Sequence, residues 1–170
     1  MMNKAVDYLG RYASSRHKLQ QILRRFAARK LVDYDSEQIT DAIRQTIDQC
    51  AKLGYIDDQE FAVTMARSQR RLGRSQSAIR QRLRQHALND DIINKALAKV
   101  DEDCIDGDLQ AAIRYAQRRR LGPFSNGANA SHEQIDRQYK RQRDLGAMAR
   151  AGFSMATSLK IIDSDDPDKI

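Results

Sequence analysis

The stretch KLGYIDDQEFA, residues 52–62, marks the point at which one helical bundle is predicted to end and the next to begin. Gly54 follows the last apolar position of a predicted helix, where a residue without a Cβ atom can adopt the left-handed conformation that ends helices. Asp57 and Glu60 have the spacing of a capping box for the next helix, and Phe61 is its predicted first core residue. The stretch therefore predicts a sharp, fixed corner between two bundles.

Two similar helical patterns flank this corner. Residues 14–27, SSRHKLQQILRRFA, and residues 74–88, RSQSAIRQRLRQHAL, each place a serine four residues before the first of two apolar residues at i, i+4 spacing. A looser third copy carries GFS at residues 152–154 where the second copy carries ALN at residues 87–89. Because helical patterns precede and follow each of these stretches, the chain is predicted to contain three internal repeats of three helices.

Short polar residues mark the helix starts of these repeats. Ser15 and Ser75 are predicted to cap the middle helices of the first two repeats, and Ser36, Asn89 and Ser154 to cap the last helices. Only two prolines interrupt a sequence rich in good helix formers. We therefore predict an all-α fold in which three tandem three-helix repeats form an elongated, curved solenoid. The predicted limits are residues 1–56, 57–102 and 106–164, followed by an acidic tail at residues 165–170.

Composition restricts the class of protein and of partner. The 170 residues carry a net charge of +7 with a pI near 9.6, which favours polyanions such as nucleic acid as partners. There is no run of eighteen apolar residues, and the first residues lack the apolar segment of a signal peptide. We expect a soluble, cytoplasmic protein that binds no membrane. Cys50 and Cys104 fit neither a disulfide framework nor a metal motif, which agrees with a reducing compartment.

The densest charge is a run of seven arginines without an acidic residue, between residues 66 and 86. In the helix predicted for residues 58–72, Phe61, Met65 and Leu72 share a narrow arc and are predicted to face the core. The arginines of this helix fall on the opposite side. The arginines of the run that are predicted to bind a partner are Arg67, Arg70, Arg71, Arg74, Arg80, Arg82 and Arg84.

Two interpretations of these arginines stay open. A basic helix face can serve solubility alone, and such faces are common. The absence of a neighbouring acid and the use of arginine rather than lysine favour bidentate contacts to phosphate or carboxylate groups. A second basic cluster surrounds Tyr115, and it is either a binding site or a basic helix end that interacts favourably with the helix dipole. Its candidate binding residues are Arg118, Arg119 and Arg120.

Several motifs together resemble the RecX family, whose members regulate the RecA recombinase. The resemblance covers nearly the whole chain and is carried by YLGRYASSRHKLQQIL at residues 8–23, LGYIDDQEFA at residues 53–62, RSQRRLGRSQSAIRQRLRQ at residues 67–85 and GFS at residues 152–154. The resemblance implies a fold of tandem three-helix repeats with a basic face on the middle repeat. It also implies that the protein binds RecA filaments on DNA, lies in the helical groove of the filament, and restrains strand exchange and ATP hydrolysis. Asp144 departs from the family pattern, because an apolar residue is usual there.

Catalytic and metal-binding patterns are absent from the sequence. His17, His86 and His132 are scattered, and none stands at metal-ligand spacing from a cysteine or a carboxylate. The sequence contains neither GxGxxG nor a Walker-type glycine loop, so no nucleotide cofactor is expected. Tyr8 and Tyr12 are predicted to be core residues rather than a base-stacking pair. We therefore expect a binding protein that is not an enzyme and needs no cofactor or metal.

The expected partners are a RecA filament and single- or double-stranded DNA, bound through its phosphate backbone by a monomer of this protein. Two other functions stay open. The predicted turn at Gly73 between two helices resembles a helix-turn-helix, a motif of DNA-binding proteins. The second possibility is therefore a DNA-binding protein without a RecA partner, either helix-turn-helix-like or independent of DNA sequence. A helical repeat protein that binds other proteins, and no nucleic acid, is the third possibility.

Overall fold

The computed structural model describes residues 1–102, 107–125 and 134–166. Within these ranges the chain forms nine α-helices and one 3-10 turn, Gly122–Phe124, and it forms no strand. The helices are α1 (Met2–Leu9), α2 (Arg16–Lys30), α3 (Ser36–Lys52), α4 (Asp58–Arg71), α5 (Gln76–Arg84), α6 (Asp90–Asp101), α7 (Gly107–Arg119), α8 (Gln134–Arg150) and α9 (Met155–Ile162). The predicted all-α class is confirmed. Among these helices, none is both long enough and apolar enough to be a membrane-spanning segment.

The chain divides into two compact units. The first comprises Met1–Met65 and Leu83–Ala96, and the second comprises Ala66–Arg82 and Leu97–Ile170. Helices α4, α5 and α6 each contribute residues to both units. The solenoid shape and the repeat limits at residues 1–56, 57–102 and 106–164 stay predictions. Residues 167–170 of the predicted acidic tail lie outside the described residues.

The core of the first unit is built on α1, α2 and α3. Leu19 and Leu23, the predicted apolar stripe of α2, are fully buried. They pack in one cluster with residues of α1, of α3 and of the loop after it. The other buried members of this cluster are Ala5, Ile43, Ile47, Cys50 and Ile56. Burial raises the pKa of the Cys50 thiol, so Cys50 is a protonated core residue at neutral pH rather than a reactive thiolate.

The helices begin at the predicted capping residues, with one exception. The side-chain oxygens of Ser15, Ser75, Asn89 and Ser154 each accept a hydrogen bond from the backbone N–H group three residues further on. The cap predicted at Ser36 is wrong. Asp35 accepts from the N–H groups two and three residues after it, and Ser36 is the first helical residue. A charged carboxylate is the stronger acceptor at the positive end of the helix dipole.

The corner at residues 52–62 has the predicted turn and cap. Gly54 ends α3 with a φ angle of 74°, in the left-handed region. The Asp57 carboxylate accepts from the backbone N–H groups two and three residues further on, at 2.8 and 3.1 Å, and thereby caps α4. Phe61 is half-buried, and its ring packs against that of His86 with the two centroids 5.0 Å apart.

The buried face of α4 differs from the predicted one. Leu72 is 51% exposed, and Phe61 and Met65 are only half-buried. The residues that α4 buries are Ala62, Val63, Ala66 and Arg70. The prediction is wrong because it took the largest apolar side chains as the core stripe. Alanines fill a close-packed interior equally well where backbones approach closely, and a buried arginine extends the stripe where its charge is compensated.

The core of the second unit lies between α7, α8 and α9. Its buried residues are Leu109, Ala111, Ala112, Ala116, Leu121, Met148, Phe153, Ile161 and Ile162. Asp144 of α8 is 1% exposed, at the position where the family resemblance leads one to expect an apolar residue. Its carboxylate accepts from the backbone N–H of Gly122 at 3.0 Å and from the guanidinium of Arg143 at 3.2 Å. Asp144 therefore ties the 3-10 turn to α8.

The loops before α6 and α9 have the same local geometry, as the alignment of ALN with GFS predicted. Their first residues, Ala87 and Gly152, have φ angles of 54° and 82°. Their second residues are buried, and their third residues are the caps of α6 and α9. The third copy therefore matches the second in the local geometry of this loop, while the repeat limits stay predictions.

Candidate nucleic-acid interface

Arg70 lies in the middle of the arginine-rich segment, and its side chain is only 7% exposed. The guanidinium donates to both carboxylate oxygens of Asp101 at 3.1 Å, to Asp108 at 2.6 Å and to the carbonyl of Arg74 at 3.3 Å. Two carboxylates thus compensate the buried charge. Arg70 is therefore not the exposed cation expected from the sequence, because its charge is neutralised and its donors are used within the fold. Its role in binding a partner stays a prediction.

The same carboxylates connect the ends of four helices. Arg70 and Asp101 lie in the last turns of α4 and α6, and Asp108 lies in the first turn of α7. Asp108 also accepts from the backbone N–H of Gln76, the first residue of α5, at 2.7 Å. A negative charge at the start of a helix is favourable to the helix dipole. Arg70 therefore organises the segment that carries the exposed arginines, and does not itself face solvent.

The turn at Gly73 is in direct contact with α7. Gly73 has a φ angle of 69°, and a Cβ atom there would lie 3.1–3.4 Å from three atoms of α7. Two arginines of α7, Arg114 and Arg118, donate to the carbonyl groups of Arg70 and Leu72 at 3.3 and 2.7 Å. These carbonyls lie at the C-terminal end of α4, where a helix leaves acceptors without an internal partner. Arg118 therefore has a structural contact as well as an exposed side chain.

The remaining arginines of the predicted set differ in their surroundings. Three are exposed, and their side chains have no ion pair with any residue in the described ranges: Arg71, Arg74 and Arg82. Arg67 and Arg80 are half-buried and take part in further interactions within the protein. Arg84 is exposed but pairs with Asp90 at 2.9 Å, and it belongs to the first compact unit. The exposed cations of the second unit are thus fewer than the sequence predicted.

A groove of about 420 Å³ opens next to Arg70. We call it the α4–α7 groove. Its lining residues are Arg67, Arg70, Arg71, Val100, Asp101, Gly107 and Arg114. Arg70 and Asp101 pair with each other, and Arg67 takes part in a further interaction within the protein. The lining cations without an ion pair among the described residues are Arg71 and Arg114. Guanidinium groups are suited to phosphate oxygens, since their N–H donors match two oxygens at once.

A second groove, of about 370 Å³, lies between the end of α7 and helix α8. We call it the α7–α8 groove. Its lining residues are Arg118, Arg119, Arg120, Leu121, Arg143, Asp144, Ala147 and Arg150. Arg118, Arg119 and Arg120 are the cluster predicted from the sequence, whereas Arg143 and Arg150 are not part of that prediction. Their seven-residue spacing places them on one face of a helix, and this was the signal available in the sequence.

The histidines, the pair Tyr8 and Tyr12, and Cys104 are the other candidate site residues in the sequence. The His17 ring lies 2.9 Å from the Gln21 amide, and the described residues contain no group of three or more His, Cys, Asp or Glu side chains placed to bind a metal. Tyr12 is 58% exposed, so its prediction as a core residue is wrong, and its ring lies 5.3 Å from that of Tyr8. His132 and Cys104 lie outside the described residues.

Comparison with known proteins gives matches along almost the whole chain. The family model described as "RecX, second three-helix domain" matches residues 57–97. The chain is 34% identical over 166 residues to the regulatory protein RecX of Myxococcus xanthus, which covers 96% of this chain and 84% of that protein. It is 27% identical over 157 residues to the regulatory protein RecX of Amycolatopsis mediterranei, with coverage of 92% and 77%. A match to the regulatory protein RecX of a Mycobacterium species is 26% identical over 121 residues and covers 71% of this chain and 62% of that protein.

Proposed function

The chain belongs to the RecX family, and from this premise we propose that it is a regulator that binds RecA filaments on DNA and lowers their ATPase and strand-exchange activities. The observation that carries the proposal is the set of exposed arginines in the second unit, Arg71, Arg74 and Arg82, which have no ion pair among the described residues. The DNA in a RecA filament carries phosphate groups, which can serve as the anionic partners of these arginines.

The proposed binding is electrostatic and independent of DNA sequence. Arg67, Arg71 and Arg114 line the α4–α7 groove, and contacts from such side chains to phosphates release counterions from the DNA. Phosphate contacts position a protein on nucleic acid without reading its bases. The affinity should therefore fall steeply with salt and vary little from one DNA sequence to another.

Regulation follows from the differential binding of filament states. A protein that contacts neighbouring RecA subunits and their DNA stabilises one filament conformation over the others. ATP turnover and strand exchange require the subunits to cycle between conformations, so a bound regulator slows both. Only binding groups are needed for this mechanism.

The proposal is tested by RecA-catalysed ATP hydrolysis on single-stranded DNA at rising concentrations of this protein. We expect the rate to fall at concentrations below that of RecA, because one bound molecule restrains several subunits. Single-stranded DNA is kept in excess over both proteins, so that competition for free DNA does not lower the rate. An unchanged rate at equimolar protein would refute the proposed regulation.

One observation favours a second candidate function, DNA binding without a RecA partner. Helices α4 and α5 are joined by a short turn at Gly73, as in a helix-turn-helix. A repressor of that kind binds its own site about a thousandfold or more tightly than other DNA. Selection of binding sites from random duplexes distinguishes the two functions, because enrichment of one sequence supports the repressor and no enrichment supports the regulator.

A further inference from the structure

Helix α8 carries a narrow stripe of residues that its own packing does not explain. Tyr139, Arg143, Gly146 and Arg150 fall within an arc of about 60° at 100° per residue. Tyr139 is 72% exposed, and the Arg143 side chain is 61% exposed. Arg150 is also exposed and has no ion pair among the described residues. The stripe thus combines an exposed aromatic ring with two exposed guanidinium groups.

The wall opposite this stripe is also basic. Arg118, Arg119 and Arg120, at the end of α7, line the α7–α8 groove together with Arg143 and Arg150. The described lining residues include one carboxylate, that of Asp144, which is buried and accepts from the Gly122 N–H and from Arg143. It therefore orients Arg143, and the other lining arginines have no ion pair in the part of the chain that the structure describes. The four remaining arginines of the lining repel one another, and an anion in the groove removes that repulsion.

Gly146 lies on the stripe between Arg143 and Arg150, inside the helix. Glycine in a helix interior is less stable than alanine, so its presence needs a reason. Among the described residues, a Cβ atom on Gly146 would meet only the end of the Arg150 side chain, at 3.4 Å, which is an ordinary contact. Packing against the described residues therefore does not require glycine here. A ligand backbone that lay close against the helix between the two arginines would require it.

We propose that the α7–α8 groove is a binding site for single-stranded nucleic acid. The backbone phosphates lie between the arginines of α7 and those of α8, close to Gly146, and a base stacks on the Tyr139 ring. An exposed aromatic ring in line with guanidinium groups is typical of single-strand binding, because every base offers a face for stacking. An acidic protein segment would form ion pairs with the arginines, but it has no base to stack on the Tyr139 ring. The site needs no RecA, so it can fail while the proposed regulation stands, and the converse also holds.

The first test measures the binding of fluorescent oligo-dT to the full chain by anisotropy. The variant Arg119→Ala/Arg150→Ala removes two groove cations that have no ion pair among the described residues. We expect its affinity to fall by about tenfold or more and its logarithmic salt slope to fall by about 1.4, since each single-strand phosphate contact accounts for about 0.7. The matched control, Arg137→Ala/Lys160→Ala, removes the same charge from exposed positions outside the groove lining. An equal loss in the control would refute the site.

The second test separates bases from phosphates. Tyr139→Ala is expected to weaken oligo-dT binding about tenfold and to leave the binding of an abasic oligonucleotide of the same length unchanged. No loss with oligo-dT, or an equal loss with both, would overturn the stacking role. Equal competition by polyglutamate and by oligo-dT would instead indicate an acidic protein partner and contradict the proposal.

The third test uses Gly146→Ala, which should raise the melting temperature and weaken the binding of both oligonucleotides. A higher melting temperature with weaker binding would support the site, because a damaged fold cannot give that pair of results. Unchanged binding would show that the ligand does not need the glycine, and a lower melting temperature would show that glycine serves packing. Either result would count against the proposal.

Discussion

Gly73→Ala is expected to lower the free energy of unfolding by about 2–5 kcal/mol, since left-handed strain in alanine costs about 1–2 kcal/mol and overpacking about 1–3 kcal/mol. Gly73 has a φ angle of 69°. Its added Cβ atom would lie 3.1 Å from the Ala111 carbonyl oxygen and 3.3 Å from the Arg114 Cβ atom. The first is a backbone atom of α7, and the second is the side-chain carbon attached directly to its backbone. Neither atom can move without the helix, so the turn and α7 would have to separate.

Gly54→Ala is the matched control for this variant. Gly54 has a similar φ angle, 74°, but beyond its chain neighbours no atom of the described residues lies within 4 Å of an added Cβ. Gly54→Ala should therefore lower the free energy of unfolding only by the backbone strain, about 1–2 kcal/mol. Urea unfolding of both variants measures the difference. Equal losses would mean that the contact between the turn and α7 contributes nothing to stability, which would contradict the packing described for Gly73.

Arg70→Met is expected to lower the free energy of unfolding by about 2–4 kcal/mol, because removal of one partner from a buried ion pair leaves uncompensated charge behind. Without Arg70, the carboxylates of Asp101 and Asp108 would lose their shared cation. Because 31% of each aspartate side chain is exposed, the loss of stability should stay below the largest values known for buried ion pairs. Arg71→Met, at the exposed neighbouring position, is expected to unfold with the wild-type midpoint.

The double replacement of the partners gives the decisive control for Arg70. Adding Asp101→Asn and Asp108→Asn to Arg70→Met removes the stranded charges and should restore most of the lost stability, since neutral replacements of buried ion pairs are often tolerated. The asparagine at 108 can still accept from the N–H group of Gln76. If Arg70→Met unfolds like the wild type, Arg70 is not a structural residue, and the predicted binding role would be favoured.

Local features of the fold could be predicted from the sequence because their causes are local. The caps at Ser15, Ser75, Asn89 and Ser154 need only a short side chain next to its own helix. The left-handed residue Gly54 likewise depends on the few residues around it. Such interactions span three or four residues, so a sequence pattern contains both partners.

Features that join distant segments could not be predicted in this way. Arg70 belongs to a run without acids, and its partners Asp101 and Asp108 come 31 and 38 residues later. Charge along the sequence therefore suggested an exposed arginine where the fold has a buried one. Arg143 and Arg150 join Arg118–Arg120 across the segment between α7 and α8 for the same reason. Periodicity locates the face of each helix, but it does not say which faces meet.

The most direct test of the account is the affinity for RecA filaments assembled on single-stranded DNA, because the central claim is that the exposed arginines of the second unit hold the filament. Arg71→Ala/Arg74→Ala/Arg82→Ala is compared with the wild type and with Arg24→Ala/Arg25→Ala/Lys30→Ala, which removes the same charge from exposed positions of α2. We predict that the first variant binds at least about tenfold more weakly, with a salt slope lower by about 2 at about 0.7 for each lost phosphate contact, while the second binds almost like the wild type. Equal weakening of both variants would show that net charge alone drives binding, and no weakening of the first would contradict the account.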